Sequence, residues 1–367
     1  MKILKRLVVG IVIILIISVC VKCFLVPWLN VRGKQSLDLY YYQSQLVDED
    51  RDLYASILKG VSEQDAVIKL PATTENKMEE ITQMILCDHP EIFWIDGSYQ
   101  YTSYDDKIEL EFNYLYEKKE VSGRRKEIQK AASTFTELLS DADKEYDIIQ
   151  KAYLYVIDTV EYEANSSDNQ NVYSSLVNHK SVCSGYAKAI QYLLQQNGIQ
   201  ALYVSGVADG AGGWDDHAWN IVRCEGRYYQ VDATFGDGYT NPDERMEELG
   251  IHNFAYLCID DNTMYRNHKV SGKMKVPECN STDMNYFYRN SFFSDHYDEQ
   301  VNSCMRDIVF SGQSTWCYQF SNKDAYMECL LDIQNGTYSM LVSEYLDDSC
   351  QISYIYDDAM YYILCWY

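Results

Sequence analysis

Residues 181–198 read SVCSGYAKAIQYLLQQNG and predict a helix whose two ends are both marked. Ser181 is of a type that caps the first amides of a helix, and Asn197-Gly198 is typical of a left-handed C-terminal cap. Cys183 then lies in the first turn, where unpaired N–H groups and the helix dipole favour a thiolate over a thiol. The same amides can face the oxyanion of a tetrahedral intermediate. One face of this helix is apolar and consists of Tyr186, Ala187, Ile190, Leu193 and Leu194.

Residues 214–237 read WDDHAWNIVRCEGRYYQVDATFGD and predict a β-hairpin with its turn at Glu225-Gly226. With a two-residue loop, His217 and Asp232 become diagonal neighbours on one face, within about 7–8 Å at the backbone. A three-residue loop would place them on opposite faces, so the pairing depends on the register. Asp215 and Asp216 are rival carboxylates, but residues next to His217 on a strand point sideways or to the other face.

Cys183, His217 and Asp232 together meet the needs of nucleophilic catalysis. The thiolate attacks a carbonyl, the imidazolium stabilises the thiolate and later donates its proton, and the carboxylate fixes the orientation of the ring. On the opposing interpretation these three residues only hold the fold, and the protein is a binding or scaffold module. A buried Cys183 without an open cleft beside it would favour that second interpretation.

The order Cys, His, Asp in VCSGYAKAIQYLL, DHAWNIV and GRYYQVDATFGD resembles the transglutaminase-like superfamily of papain-type cysteine enzymes. The resemblance is to its bacterial, membrane-anchored or exported members. It covers about residues 146–280, including VEYEA at 160–164 and NHKVSGKMKVPEC at 267–279, and DHPEIFW at 88–94 is similar to an extension of these proteins. Ser184 stands where the family often has Gln or Arg, and Phe235 where it often has Trp.

The resemblance implies an α+β, papain-like core in which a helix carrying Cys183 packs on an antiparallel sheet carrying His217 and Asp232. It implies that Cys183 is the nucleophile, that His217 is the general base and acid, and that Asp232 orients His217. Trp219 and Asn220 would be packing residues. The implied reaction passes through a thioester on a carboxamide or peptide carbonyl of a protein or peptide. Water as acceptor gives hydrolysis, which we favour, and an amine gives a cross-link.

The first 34 residues hold six of the 31 basic residues and none of the 55 acidic ones. Leu7–Leu29 is almost wholly apolar and long enough to cross a bilayer core of about 30 Å as a helix. We therefore expect a single-pass anchor in the cell membrane with the body outside, and a cleaved signal peptide is the alternative. The acidic body, with a net charge of −24 for the chain, makes nucleic acid a poor partner. The sequence does not indicate an oligomeric state.

Twelve cysteines are present, ten of them beyond the predicted anchor. No pair in the body has C-x-x-C spacing and no His lies at zinc-site spacing from a Cys, so the sequence predicts neither a metal nor another cofactor. Disulfides and buried reduced thiols both remain open for these residues. His89 is expected to be structural.

The chain divides into four predicted parts: the anchor or signal segment 1–34, an α+β accessory region 35–121, the catalytic core 122–280 and a β-rich accessory domain 281–367. Expected elements are a helix at Thr74–Leu86, two strands around Tyr104–Lys107, helix over 122–162, a strand at Ala201–Val207 and a helix at Lys323–Ile333. A Gly-rich loop is expected from Gly206 to Gly213. The last domain has four strand-like runs, WCYQFSN, YSMLVSEYL, CQISYIYD and AMYYILCWY, with a hairpin turn at Asp357-Asp358.

Overall fold

The computed structural model describes residues 39–238, 251–271, 274–343 and 352–366. The predicted anchor or signal segment 1–34, including the apolar stretch Leu7–Leu29, lies outside these residues. Within the described ranges no helix combines the length and the apolar character needed to cross a membrane.

The helices follow one another along the whole described chain. In order they are α1 Tyr41–Ser44, α2 Asp48–Glu63, α3 Glu75–Asp88, α4 Lys118–Thr136, α5 Glu145–Thr159, α6 Val172–Leu176, α7 Cys183–Gln196, α8 Ala233–Asp237, α9 Asp261–Met264, α10 Tyr286–Arg289, α11 Glu299–Phe310, α12 Lys323–Gln334 and α13 Thr337–Val342.

The strands form small sheets with the orders β1-β3-β2, β4-β5, β8-β7-β6-β9 and β10-β11-β13-β12. Their bounds are β1 Ile68–Pro71, β2 Ile95–Ser103, β3 Lys107–Tyr114, β4 Glu161–Tyr162, β5 Lys180–Ser181, β6 Ala201–Gly210, β7 Gly213–Cys224, β8 Arg227–Val231, β9 His268–Val270, β10 Phe293–Ser294, β11 Thr315–Phe320, β12 Ser353–Asp357 and β13 Tyr362–Trp366.

The N-terminal region contains the predicted elements. Helix α3 corresponds to the expected helix at Thr74–Leu86, and β2 and β3 lie on either side of residues 104–106. The Thr74 hydroxyl accepts the Lys77 N–H, which caps α3 at its start. His89 follows the last turn, is 5% exposed, and its Nδ1 lies 2.9 Å from the Glu91 carboxylate, which fits its predicted structural role. Core residues from this region and from 132–258 belong to one continuous apolar cluster.

The central sheet is antiparallel and α7 packs across β6 and β7. Asn220 of β7 fixes this contact, because its Nδ2 donates to the carbonyls of Ala187 in α7 and of Leu202 in β6, each at 3.0 Å. Gly198 has a φ of +80° and ends α7, as predicted. The structure is therefore the expected α+β arrangement of a cysteine-bearing helix on an antiparallel sheet.

The Glu225-Gly226 turn has the predicted two-residue length. Both residues have positive φ, 48° and 82°, and Cys224 pairs with Arg227. Such turns match the twist of the flanking strands. The register that brings His217 and Asp232 to one face is thereby confirmed.

The Gly-rich segment is not the predicted loop. Gly206 and Gly210 lie in β6, and Gly213 begins β7, so that only Ala211 and Gly212 connect two long paired strands. A Cβ on Gly206 would lie 2.2 Å from the Lys269 carbonyl and 2.7 Å from the Trp219 ring, so β6 needs a glycine where β9 and Trp219 press against it.

The C-terminal region contains the expected α12 and the expected β12–β13 hairpin after Asp357. The run YSMLVSEYL is not a strand in its described part, because α13 starts there directly after Gly336, which has a φ of +79°. Helix α11 was also not predicted. This region has a core of its own, formed by α11, α12, α13, β11 and β13.

Candidate active site

Cys183 occupies the first position of α7, after the extended residue Val182. The Val182 carbonyl accepts the N–H groups of Gly185 and Tyr186. The N–H groups of Cys183 and Ser184 belong to the first turn, which has no preceding helical carbonyls to accept them. Cys183 is half-buried.

The predicted capping of α7 by Ser181 is wrong. Ser181 belongs to β5 and is completely buried, and its hydroxyl donates to the Asn169 carbonyl at 2.6 Å and contacts the Ser174 hydroxyl at 2.8 Å. The N-cap is instead the next residue, Val182, whose side chain makes no capping hydrogen bond, and the Ser181 hydroxyl packs against Gly185 of α7.

His217 lies on β7 and its side chain is 7% exposed. Its Nε2 lies 2.7 Å from Oδ2 of Asp232, and Cys183 lies close enough to the ring to raise the pKa of His217. Because Nε2 faces the carboxylate, Nδ1 is the ring nitrogen available to the thiol. The structure therefore pairs His217 with Asp232 and places Cys183 near the same ring, and their catalytic roles stay a prediction.

Asp232 is the last residue before α8 and is 1% exposed. Its Oδ1 accepts the N–H groups of Thr234 and Phe235, at 2.8 and 3.1 Å, which anchors the carboxylate as the cap of α8. Its Oδ2 is left for the histidines. The short helix thus fixes the direction in which the carboxylate meets His217.

Burial and mutual charge act in opposite directions on the pKa values of His217 and Asp232. Burial alone lowers the pKa of His217, but the charge and hydrogen bond of Asp232 and the contact with Cys183 outweigh it and raise that pKa to about 10. For Asp232 burial acts to raise the pKa, and the interactions with His217 and His268 reverse this and hold it below its ordinary value. At neutral pH the pair is an imidazolium and a carboxylate.

Aromatic rings hold the imidazole in place. Trp219 stacks on His217 with ring centroids 6.1 Å apart, and Phe235 meets it edge-on at 5.0 Å. The Trp219 Nε1–H donates to Gln230, and the ring is 1% exposed, so Trp219 and Asn220 pack as expected. Phe235 fills the position that the family often gives to Trp and still contacts the histidine.

A second histidine contacts the Asp232 carboxylate, and the sequence did not predict it. His268 on β9 is completely buried and its Nε2 lies 3.0 Å from Oδ2 of Asp232. The stretch NHKVSGKMKVPEC contains it, but 36 residues separate it from Asp232, and only the β6–β9 pairing brings it to the site. No local pattern in the sequence encodes that pairing.

His217, Asp232 and His268 place their ligand atoms within 4.8 Å of one another, the kind of group that can hold a metal ion. Both imidazole Nε2 atoms point at the same oxygen, at 2.7 and 3.0 Å. Zn²⁺ would require each ligand atom about 2.0–2.2 Å from a shared centre. The hydrogen bonds already account for every one of these atoms, and they keep His217 directed at Cys183.

A cleft of about 1160 Å³ opens at His217 and runs between the central sheet and the C-terminal hairpin. It has aromatic walls and four carboxylates, from Asp209, Asp237, Asp357 and Asp358. The aromatic lining consists of Tyr162, Phe235, Tyr256, Tyr354, Tyr356 and Trp366.

The nine cysteines of the described residues, Cys183 among them, are all free thiols. Most are buried in apolar surroundings, and burial raises the pKa of Cys87 and Cys317 to about 12. These two thiols behave as small hydrophobic side chains.

Residues 132–233 match the family model of the transglutaminase-like superfamily. Kyphoscoliosis peptidase from mouse (Mus musculus) is 28% identical over 198 residues, which cover 49% of this chain and 30% of the mouse protein. The human protein of the same name (Homo sapiens) is 25% identical over 183 residues, 44% of this chain and 28% of the relative. The chain thus spans less than a third of the length of either relative.

Among solved structures, the crystal structure of a TGase is similar with 13% identity and a TM-score of 0.28, over 50% of this chain and 55% of that one. The matched family model contains Cys183, His217 and Asp232. Residues 132–233 are therefore similar to the transglutaminase-like superfamily, and they fold as the expected helix on an antiparallel sheet.

Proposed function

We propose that the protein is a thiol-dependent acyl-transfer enzyme that acts on carboxamide or peptide bonds of proteins or peptides. The observation that carries this proposal is the chain of contacts from Cys183 at the start of α7 to His217 and on to the buried Asp232. The half-buried thiol and the open cleft at His217 are the features that a purely structural Cys183 would lack.

In the proposed reaction Cys183 Sγ attacks the substrate carbonyl carbon and the carbonyl oxygen gains the negative charge. The first-turn amides of α7 stabilise that oxyanion. His217 then gives its proton to the departing amine, and the C–N bond breaks to leave a thioester on Cys183. Asp232 holds the ring so that Nδ1 faces the sulfur throughout.

The thioester is resolved by water or by an amine. In hydrolysis His217 takes a proton from the water as its oxygen attacks the thioester carbon. The C–S bond then breaks, which releases the acid and leaves Cys183 as a thiolate beside the imidazolium. We favour hydrolysis, because the two curated relatives are named peptidases. The catalytic body is proposed to lie outside the cell membrane, behind the apolar N-terminal segment, on the basis of the sequence pattern alone.

The test is the pH dependence of alkylation by iodoacetamide, followed separately at each cysteine by mass spectrometry. Cys183 is expected to react fast below pH 7 and to slow at least 10-fold in His217→Ala, because the imidazolium stabilises the thiolate. Cys224 is the internal control, since burial raises its pKa to about 12. Equal rates at Cys183 and Cys224, or a rate at Cys183 that ignores His217→Ala, would refute the proposal and leave the scaffold interpretation.

A further inference from the structure

A line of hydrogen bonds leads from the carboxylate of Asp232 to the C-terminal hairpin. His268 Nε2 lies 3.0 Å from Asp232, and His268 Nδ1 lies 2.6 Å from Oδ1 of Asn267. Asn267 Nδ2 donates to the Tyr256 hydroxyl, and that hydroxyl donates to Oδ2 of Asp357, each at 3.0 Å. His268, Asn267 and Tyr256 are buried, with exposures of 0, 5 and 2%.

The two ends of this line determine where its protons lie. A carboxylate only accepts hydrogen bonds, so Tyr256 must donate to Asp357 and its oxygen must accept from the amide of Asn267. That turns Oδ1 of Asn267 toward His268, whose Nδ1 must then carry a proton. Asp232 likewise requires a proton on Nε2. With a carboxylate at each end of the line, both ring nitrogens of His268 face acceptor oxygens and are placed to donate.

We propose that Asp357 is a positioning residue of the active site. Through Tyr256 and Asn267 it keeps His268 positively charged. That charge weakens the electrostatic attraction between the Asp232 carboxylate and the His217 imidazolium. This proposal deepens the proposed function and rests on it for its catalytic meaning. Asp357 lies far beyond residue 233, where the matched family model ends. The C-terminal hairpin therefore supplies part of the active site.

The turn that follows β12 already holds Asp357 in place, independently of the line. Its Oδ1 accepts the N–H groups of Ala359 and Met360, at 2.9 and 3.0 Å, and only Oδ2 faces Tyr256. Oδ1 therefore stabilises the turn, and Oδ2 acts on the protons of the hydrogen-bonded line. This separation makes Asp357→Asn an informative variant, because the amide oxygen can keep the turn while the NH₂ group meets Tyr256.

Other charges lie around the two imidazoles. Lys269 follows His268 but places its Nζ 3.8 Å above the Trp214 ring. Arg266 lies behind the hairpin and donates to the carbonyls of Ala359 and Ser321. The titratable groups on the surrounding elements are Tyr162, Cys183, Asp209, Asp215, Asp232, Asp237, Tyr256 and Asp357. All eight are anionic when ionised, so a positive charge on His268 would be the one that, besides His217 itself, offsets Asp232.

In Asp357→Asn every hydrogen bond of the line can re-form in the opposite sense. The new NH₂ donates to the Tyr256 oxygen, Tyr256 donates to Asn267, and the Asn267 amide turns its NH₂ toward His268. Nδ1 then accepts, and His268 is neutral. The site loses one positive charge while the fold stays intact. A higher pH is then needed to remove a proton from Cys183 or His217.

The first measurement is the ¹⁵N NMR spectrum of the ring nitrogens in the full chain labelled at its six histidines. The His268 signals are assigned by their loss in His268→Gln. We expect a doubly protonated His268 at pH 7 in the wild type and a singly protonated one in Asp357→Asn and Tyr256→Phe. A singly protonated wild-type His268, or a state that Asp357→Asn leaves unchanged, would overturn the proposal.

The second measurement is the pH profile of Cys183 alkylation by iodoacetamide, a neutral reagent. We expect its midpoint to rise by on the order of one pH unit in Asp357→Asn, the scale for removing one charge at this range inside a protein. Tyr256→Phe should give the same shift, and the double variant no more than either alone, because both act through one line. Additive shifts would contradict a shared route.

Asp358→Asn is the matched control. It removes the same charge from the same hairpin and cleft, but the Asp358 carboxylate accepts from Tyr326 instead of from Tyr256. Its pH profile and its His268 spectrum are expected to match those of the wild type. An equal shift in Asp358→Asn would show that general cleft charge, and not the line through Tyr256, sets the profile. The NMR result stands apart from turnover, so it tests this proposal even if Cys183 proves inert.

Discussion

At the scale of single residues, the Asp232 carboxylate organises the site. Its two oxygens have separate tasks, since Oδ1 caps α8 and Oδ2 receives both histidines. The charge of His217, its hydrogen bond and the contact with His268 favour the ionised carboxylate, which is why the pKa of Asp232 is lowered despite its burial. The orientation of His217 therefore depends on a residue that is 1% exposed.

Replacing Asp232 by Asn is expected to lower turnover by on the order of 10⁴, as in serine-type triads. The Asn oxygen can still cap α8, but its NH₂ would face Nε2 of His217. Nε2 must then accept, which puts the proton on Nδ1 toward Cys183 and removes the base. Steady-state kinetics on a peptide substrate measure the loss, and circular dichroism checks the fold. Turnover that equals the wild type would exclude the assigned role of Asp232.

The same variant has a pH-dependent cost in stability. The raised pKa of His217 stabilises the wild type fully below its ordinary value of 6.5, and this contribution is lost as pH rises through about 10. The lowered pKa of Asp232 stabilises it above 3.8, and that is lost as pH falls through the folded value. The gap in melting temperature between wild type and Asp232→Asn should therefore be widest between about pH 4 and 6.5. A gap that widened toward pH 10 would contradict the ion pair.

At the scale of elements, helix α7 and the β7–β8 hairpin could be predicted because their signals are local. Asn197-Gly198 ends the helix, Glu225-Gly226 sets the register, and together these place Cys183, His217 and Asp232. Gly206 lies in a strand and not in the predicted loop. Glycine is common both in loops and at close contacts between strands, and only the neighbours in the fold distinguish the two. Helix α13 has strand-like residues but begins at a left-handed glycine and packs on α12.

Gly185 shows how tightly the start of α7 is fitted. A Cβ there would lie 1.8 Å from the Ser181 hydroxyl and 2.6 Å from that of Ser175. Gly185→Ala should therefore shift the first turn, lower stability by about 1–3 kcal/mol and slow the alkylation of Cys183. Thermal unfolding and iodoacetamide kinetics measure the two effects.

Gly123→Ala is the matched control for that variant. Gly123 lies on the exposed side of α4 and a Cβ there meets nothing within 4 Å. The change should stabilise the helix by about 0.5–1 kcal/mol and leave Cys183 as reactive as before. If Gly185→Ala behaved like Gly123→Ala, the close fit of α7 against Ser181 would not position the thiol.

At the scale of the whole molecule, the site joins parts of the chain that are far apart in sequence. Core residues from the central sheet and from the C-terminal hairpin share one apolar cluster, which includes Trp219, Tyr256 and Tyr362. His268, Tyr256 and Asp357 could not be predicted as site residues, because their contacts depend on packing between these regions. The predicted division at residues 280 and 281 stays a proposal, and the cleft runs across it.

The cleft predicts the charge that a substrate should carry. Four aspartates line it, the described lining residues include no Lys or Arg, and the chain has a net charge of −24. Such a field concentrates cations and repels anions at low ionic strength. Cationic segments of a peptide should therefore bind more readily than acidic ones.

Two thiol reagents of equal size and opposite charge measure this field at Cys183. We expect cationic aminoethyl methanethiosulfonate to react on the order of 10-fold faster than the anionic sulfonatoethyl reagent, after division by their rates with a small free thiol. The preference should shrink as salt rises toward 1 M, where the screening length falls to about 3 Å. Asp209→Asn, at the exposed rim of β6, should reduce it without changing the rate of the neutral reagent iodoacetamide. Equal rates for the two charged reagents at low salt would mean that the acidic surface does not act at the thiol, and the preference for cationic peptides would fall with it.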